Sequence, residues 1–345
     1  TSALQTEDAH GKNIAIGHAA LSSLDAGADG LNVIVGDVAG QNMTTAQENV
    51  MVGASAGGQY TEGSRNVGIG RQALNLDTLG ERNVAMGYGT LTNQNFTTAT
   101  NSYNTAVGYV AGNDITTGTL NTLIGALAGD KLTAASSNTA VGYNSLSTDV
   151  LGALSTAVGR DALKSQNFTT ATNSHNTAVG YIAGGAITTG VQNTFIGSSA
   201  GDALTDADYN TAVGYIALSS DTLGSASTAI GFRALNAQNF TTAANSHNTA
   251  VGYQAGNVLT TGIQNTFIGS AAGDALTDAD YNVAVGYGAL TTDVLGSKSV
   301  AVGYHALFDQ NFTTATDSFN TAVGYSAGKD VTTGRYNVFV GSNAG

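Results

Sequence analysis

The chain of 345 residues has no Cys, Pro or Trp, and only 10% of its residues are charged. The lack of Cys excludes a disulfide framework, a thiolate metal site and a thiol nucleophile. The net charge of −13 disfavours nucleic acid and anionic membrane faces, which call for a Lys/Arg surface, and no run approaches the ~18 apolar residues of a membrane span.

Residues 1–12 carry no pattern and read as a leader or the remnant of an upstream segment. The chain opens on Thr1 rather than Met, so targeting information is expected to have been removed. From residue 13 to 345 a single repeat array follows. Its unit is Asn, then Thr or Val, a variable residue, a β-branched residue, Gly, two variable residues, Ala, and Leu or Gly. Asn176-Thr177-Ala178-Val179-Gly180-Tyr181-Ile182-Ala183-Gly184 is one copy, and Gly17, Gly36, Gly108, Gly142 and Gly180 each mark one of nineteen. A fixed period decides the fold class before any residue-level reading.

From Gly36 on the marker advances by 17, 17, 17 and 21 residues, a 72-residue super-repeat. Two copies with Leu four residues after the marker (Leu146, Leu163) alternate with two that have Gly there (Gly184, Gly201). The array stops in mid-coil at Gly345 without a polar cap. That predicts either further chain or subunits that stack end to end, because an open end leaves strand edges unpaired.

The Asn-Thr-Ala-Val stretch is β-branched and too short for a helix. The expected fold is therefore an all-β parallel β-solenoid or β-roll of about nineteen coils, ~90 Å long at ~4.8 Å per coil. The residue before Gly is Val or Ile in every coil except at Met86. Its uniformity predicts that Val107, Val141 and Val179 stack into a dry interior column, on which the fibre reading is made to depend. The marker Gly is expected to supply positive φ or room at a tight corner. Asn104, Asn121, Asn138, Asn176, Asn193 and Asn210 are expected to form an amide ladder along the axis. Ala73, Ala111, Ala183 and Ala255 suggest a second tight ladder.

The pattern Asn-Thr-Ala-Val-Gly-x-x-Ala resembles the head repeats of trimeric autotransporter adhesins and is similar to repeats in phage tail fibres and surface filaments. The resemblance covers residues 13–345, with coils longer than those usual in that family. It implies three chains winding side by side as β-rolls in an extracellular or virion-surface fibre, and it supplies no ligand.

Candidate sites are few. Asp202, Asp206 and Asp208, repeated as Asp274, Asp278 and Asp280, are weak calcium candidates. Calcium needs several converging oxygens, and solubility and turn formation explain the same residues. His10, His18, His175, His247 and His305 do not fall at one phase of the repeat, and His175 and His247 lie ~19 Å apart at four coils' separation, too far to share an ion. Glu is confined to Glu7, Glu48, Glu62 and Glu81, and no catalytic constellation breaks the repeat. Asn42, Asn95, Asn167, Asn239 and Asn311 sit in glycan-acceptor patterns. Tyr88, Tyr109, Tyr143, Tyr181, Tyr215, Tyr253, Tyr287, Tyr304 and Tyr325 follow marker glycines, which suggests a row that packs along the fibre or stacks on sugar rings. Thr116-Thr117 and Thr188-Thr189 recur too rarely for an ice-binding face.

The expected function is a non-enzymatic fibre or adhesin segment outside a cell or on a virion, without cofactor. Its expected partners are copies of itself, as a homotrimer or head-to-tail polymer, and a surface glycan or host receptor. A self-assembling filament subunit is the alternative, and a β-helical polysaccharide-acting enzyme is a weaker one.

Overall fold

A computed structural model describes residues 3–5 and 11–345, which leaves His10 and Glu7 outside the described residues. The chain divides into two compact units, residues 1–175 and 176–345. Both are all-β, with no helix among the described residues.

The first unit holds nine three-residue strands, from Ile14–Ile16 to Thr156–Val158. Consecutive ones pair in parallel, Val33 opposite Val50, Val50 opposite Val67, Val67 opposite Val84, and Val84 opposite Thr105. The second unit repeats the arrangement with ten strands, from Thr177–Val179 to Val338–Val340. There Thr177 faces Thr194, Thr194 faces Thr211, Thr211 faces Thr228, and Thr228 faces Thr249. The steps of 17 and 21 residues are therefore coils of a parallel β-solenoid, one strand stacked per coil, as the sequence period predicts. The 21-residue coils add two-residue strands, such as Thr172–Asn173 pairing Gly152–Ala153 and Ala244–Asn245 pairing Gly224–Ser225.

The interior differs from the expectation by one residue. Val107, Val141 and Val179 do not fill it. They lie on the outer face of their strands, where Val179 is 37% and Ile196 41% exposed. The residue before each is the buried one: Ala106, Ala140, Ala178, Phe195 and Ala212 have no exposed surface. Neighbouring residues of a strand point to opposite faces, so a slip of one exchanges inside for outside. The condition set on the fibre reading therefore fails for Val and Ile: a stacked interior column exists, but Ala, Leu and Phe carry it, and a fibre reading can rest only on the coil stack and the outer face. The column's narrow bore is shared with the ladder of Ala111, Ala183 and Ala255 and with Leu146, Leu163 and Leu218, all fully buried. Strand and turn positions share the volume: where the strand residue is Ala212 the turn carries Leu218, and where it is Phe195 the turn carries Gly201, with Leu204 buried in addition from the return path.

The marker glycines have both properties expected of them. At Gly197 φ is +132°, and an added Cβ would sit 2.4 Å from the carbonyl oxygen of Gly214 in the next coil. Gly108, Gly142 and Gly180 repeat this, with φ from +135° to +142°. Within each unit marker-glycine amides donate to the strand of the preceding coil, as Gly142 N does to Ile124 O and Gly197 N to Val179 O, at 2.7 and 2.8 Å. A side chain here would push apart the backbones that this bond holds together.

Candidate functional site

The asparagine ladder forms as the sequence suggests. Asn193 donates from its backbone N and from Nδ2 to Asn176 Oδ1, at 2.9 and 3.2 Å, and from Nδ2 to Ala207 O at 2.7 Å. Asn210 N takes the next step to Asn193 Oδ1. In the first unit Asn121 is bonded to Asn104 in the same way, and Asn138 N to Asn121 Oδ1. All six amides are buried, and each closes its own coil by donating to a backbone carbonyl fourteen residues on.

Sequence reasoning missed a buried carboxylate network that carries this ladder across the long coils. Asp77, Asp149, Asp221 and Asp293 are fully buried, 72 residues apart. Asp221 Oδ1 accepts from Gly224 N at 3.0 Å and from Phe240 N at 2.9 Å, and Oδ2 accepts from Gln238 Nε2 at 2.6 Å. Gln238 Nε2 also donates to Ser227 Oγ, and its Oε1 accepts from Asn248 Nδ2, so the amide bridges the coil that is four residues longer. Such groups persist in an interior only when fully hydrogen-bonded. Asp77 also accepts from Tyr60 Oη at 2.9 Å. Burial, and then the neighbouring carboxylate, raise that phenol well above its usual value. The recurring Asp-x-Leu-Gly at 77–80, 149–152, 221–224 and 293–296 was the available signal.

The calcium candidates are not brought together. Asp206 Oδ1 accepts from Thr189 Oγ1 at 2.7 Å and Asp208 Oδ1 from Val191 N at 2.7 Å, each reaching the preceding coil. Asp278 and Asp280 do the same with Thr261 and Ile263. Asp202 and Asp274 are half-buried on a different stretch of the coil, and burial raises both carboxyls above the usual range. Between them and the other two, Leu204 and Leu276 turn into the core, which splits each trio. Among the described residues no group of three or more His, Asp, Glu or Cys can hold a metal ion.

His18 Nδ1 lies 3.0 Å from Asp37 Oδ1, and His305 stacks on Tyr304 with ring centres 3.9 Å apart. Burial lowers the His305 pKa. His175 and His247 are exposed. Of the glycan-acceptor asparagines, Asn95, Asn167 and Asn311 are exposed, while Asn42 and Asn239 are half-buried. The Phe after each of Asn95, Asn167, Asn239 and Asn311 is buried and pins its loop. The second unit also carries a surface groove of about 570 Å³ lined by Asp278, Asp280, Ser297, Thr316, Asp317 and Arg335. Its Asp317 is taken up by Lys298 Nζ at 2.6 Å.

The tyrosines form stacks on the outside. Tyr88 lies on Tyr109 at 5.5 Å between ring centres. Tyr215, Phe232 and Tyr253 stack in sequence at 5.9 and 5.1 Å, and Tyr287, Tyr304 and Tyr325 at 5.5 and 5.1 Å. Beside them run the outer columns of Thr or Val and of Val or Ile. Among the described residues no buried side-chain polar atom lacks a hydrogen-bond partner, and each unit has one outer face that carries β-branched and aromatic side chains. No family model, curated protein or solved structure matches the chain.

Proposed function

We propose that the chain is a non-enzymatic structural segment of a surface fibre or adhesin, outside a cell or on a virion, and that it assembles with copies of itself. The outer strand face carries this reading. In each unit a regular column of half-exposed Val and Ile flanks a column of Thr and Val, and the tyrosine row borders it. Isolated soluble chains rarely keep a continuous apolar patch beyond a few hundred Å² uncovered. A periodic, flat, β-branched face suits a second copy with the same period. The likeness of the coil to adhesin head repeats supports the same assignment, and so does a repeat that no catalytic cluster interrupts.

Sedimentation and negative-stain electron microscopy test it. Assembled rods of discrete length support a shaft, and long fibres support the filament alternative. Ile196→Asp with Ile268→Asp, both outward-facing, is expected to leave the circular-dichroism spectrum unchanged and to abolish assembly. A monomeric globular particle at tens of micromolar overturns the proposal.

A further inference from the structure

The aromatic row is interrupted on a fixed schedule. From Gly108 on, the residue after the marker glycine is large in three of every four coils, as in Tyr215, Phe232 and Tyr253, with Arg160 standing in once for a ring. In the fourth it is small: Ala126, Ser198 and Ser270. Each small residue leaves a gap one coil deep between two rings. Around Ala126 the rings are Tyr109 and Tyr143, and around Ser270 they are Tyr253 and Tyr287. The covered faces of these four rings turn away from the gap. Tyr109 rests on Tyr88, Tyr253 on Phe232 and Tyr287 on Tyr304, and Arg160 lies 5.9 Å from the ring centre of Tyr143. The gap-lining rings are 50–58% exposed, whereas Phe232 and Tyr304, stacked on both sides, are 37% and 42% exposed. Two residues before each small residue stands an exposed isoleucine, Ile124 or Ile268.

We propose that each gap is a slot for one neutral pyranose ring of a repeating polysaccharide. The proposal rests on the reading of the chain as an exposed surface segment. Two coil rises separate the bounding rings by about 10 Å. A guest ring midway therefore lies at about 5 Å from each, inside the 4.5–7 Å range of ring stacking. Such a slot is bounded by two exposed aromatic faces, and each of its tyrosines also carries a phenol hydroxyl that can hydrogen-bond. A pyranose matches it, with apolar ring faces and a hydroxylated edge. The net charge of −13 disfavours acidic sugars. Ser198, between Tyr181 and Tyr215, repeats the pattern. Sites that are weak singly but recur every 72 residues gain avidity on a polymer whose rings also recur.

The chain has no Trp and 14 Tyr, so its intrinsic fluorescence comes from tyrosine, and the slot-bounding rings contribute part of the signal. Titration with dextran, laminarin and a neutral galactan is expected to give saturable quenching with at least one of them, and polygalacturonate is expected to give none. The variant Ala126→Tyr/Ser198→Tyr/Ser270→Tyr fills the slots with the residue that neighbouring coils already carry at this position. It is expected to keep its melting temperature and lose at least tenfold in apparent affinity. Absence of binding to all three neutral polymers, or unchanged binding by the filled variant, overturns the proposal. So does loss of self-association on filling without any saccharide binding, since the slots would then receive rings of a second copy. Sedimentation of the same samples separates the two readings: a monomer that binds saccharide refutes self-assembly and retains the slots.

Discussion

Two adjacent coils of the second unit solve the same packing problem in opposite ways. The coil at Gly214 has Ala212 in its strand, Leu218 in its turn and Tyr215 outside. The coil at Gly197 has Phe195 in its strand, Gly201 in its turn and Ser198 outside. Their backbones match at the turn, where φ is +52° at Leu218 and +58° at Gly201. The difference lies in whether the strand or the turn sends a large side chain into the bore, Leu204 on the return path of the Gly197 coil being buried in addition. Leu218 reaches in from the turn, and Phe195 from the strand, across the space a Leu would need. A Cβ on Gly201 would lie 2.4 Å from Phe195 Cδ1. The alternation of two Leu coils with two Gly coils thus records a volume rule, because Phe267 likewise displaces side chains from both Gly256 and Gly273.

The largest effect is expected where the two coils are alike. Gly214→Ala would place a methyl 2.4 Å from Gly231 O, against backbone that cannot yield, at a cost of roughly 3–5 kcal/mol. Thermal unfolding followed by circular dichroism measures it, and a shift near zero would refute the close approach of marker glycines.

Converting one coil type into the other sharpens the contrast. Phe195→Ala alone should cost about 3–5 kcal/mol through the cavity it leaves, and Gly201→Leu alone about 1–3 kcal/mol by overpacking. The double variant recreates the Leu coil and should recover most of the loss, giving a strong coupling in a double-mutant cycle. Additive losses would refute the volume rule.

The amide ladder is common to both coils but is replaced by Ser at Ser227. Asn193→Ala removes two donations and strands the Asn210 amide, which should cost about 2–3 kcal/mol. Ser227→Ala leaves Asn210 Oδ1 its backbone donor, and Gln238 and Ser246, which lose the Ser227 hydroxyl, keep Asp221 and Ser225 O as partners, so it should cost about 1 kcal/mol. Equal losses in denaturant titrations would show that the side-chain amides contribute nothing beyond the backbone.

The smallest effect concerns Asp202, which lies in the Gly coil. Burial raises its carboxyl in the folded state, above the ~3.9 of an unfolded chain. The folded state therefore holds the proton to higher pH, and the stability this contributes is full below ~3.9 and is lost as pH rises through the raised value. Asp202→Asn should raise the melting temperature at pH 7, by ~1 °C or less because solvent screens a half-exposed group. The gain should vanish below pH ~3.5, and a gain that persisted there would refute burial as its cause.

The coil lattice is legible in the period alone: strand spacing, the glycine at each corner and the asparagine ladder all follow from it. Each is a local demand repeated in every coil, φ near +135° at Gly125 or an amide at Asn121 in reach of Asn104, so the same letter recurs at the same phase. Which face of the strand points inward was settled only by the tertiary structure. Apolar preference alone puts Val179 inside and leaves Ala178 unassigned. The narrow bore reverses this, because Ala178 must share it with the large side chains of its neighbours. The buried Asp221–Gln238 network was hidden for a related reason: its members lie seventeen residues apart, and only the stacking of one coil on the next brings carboxylate and amide together in the core.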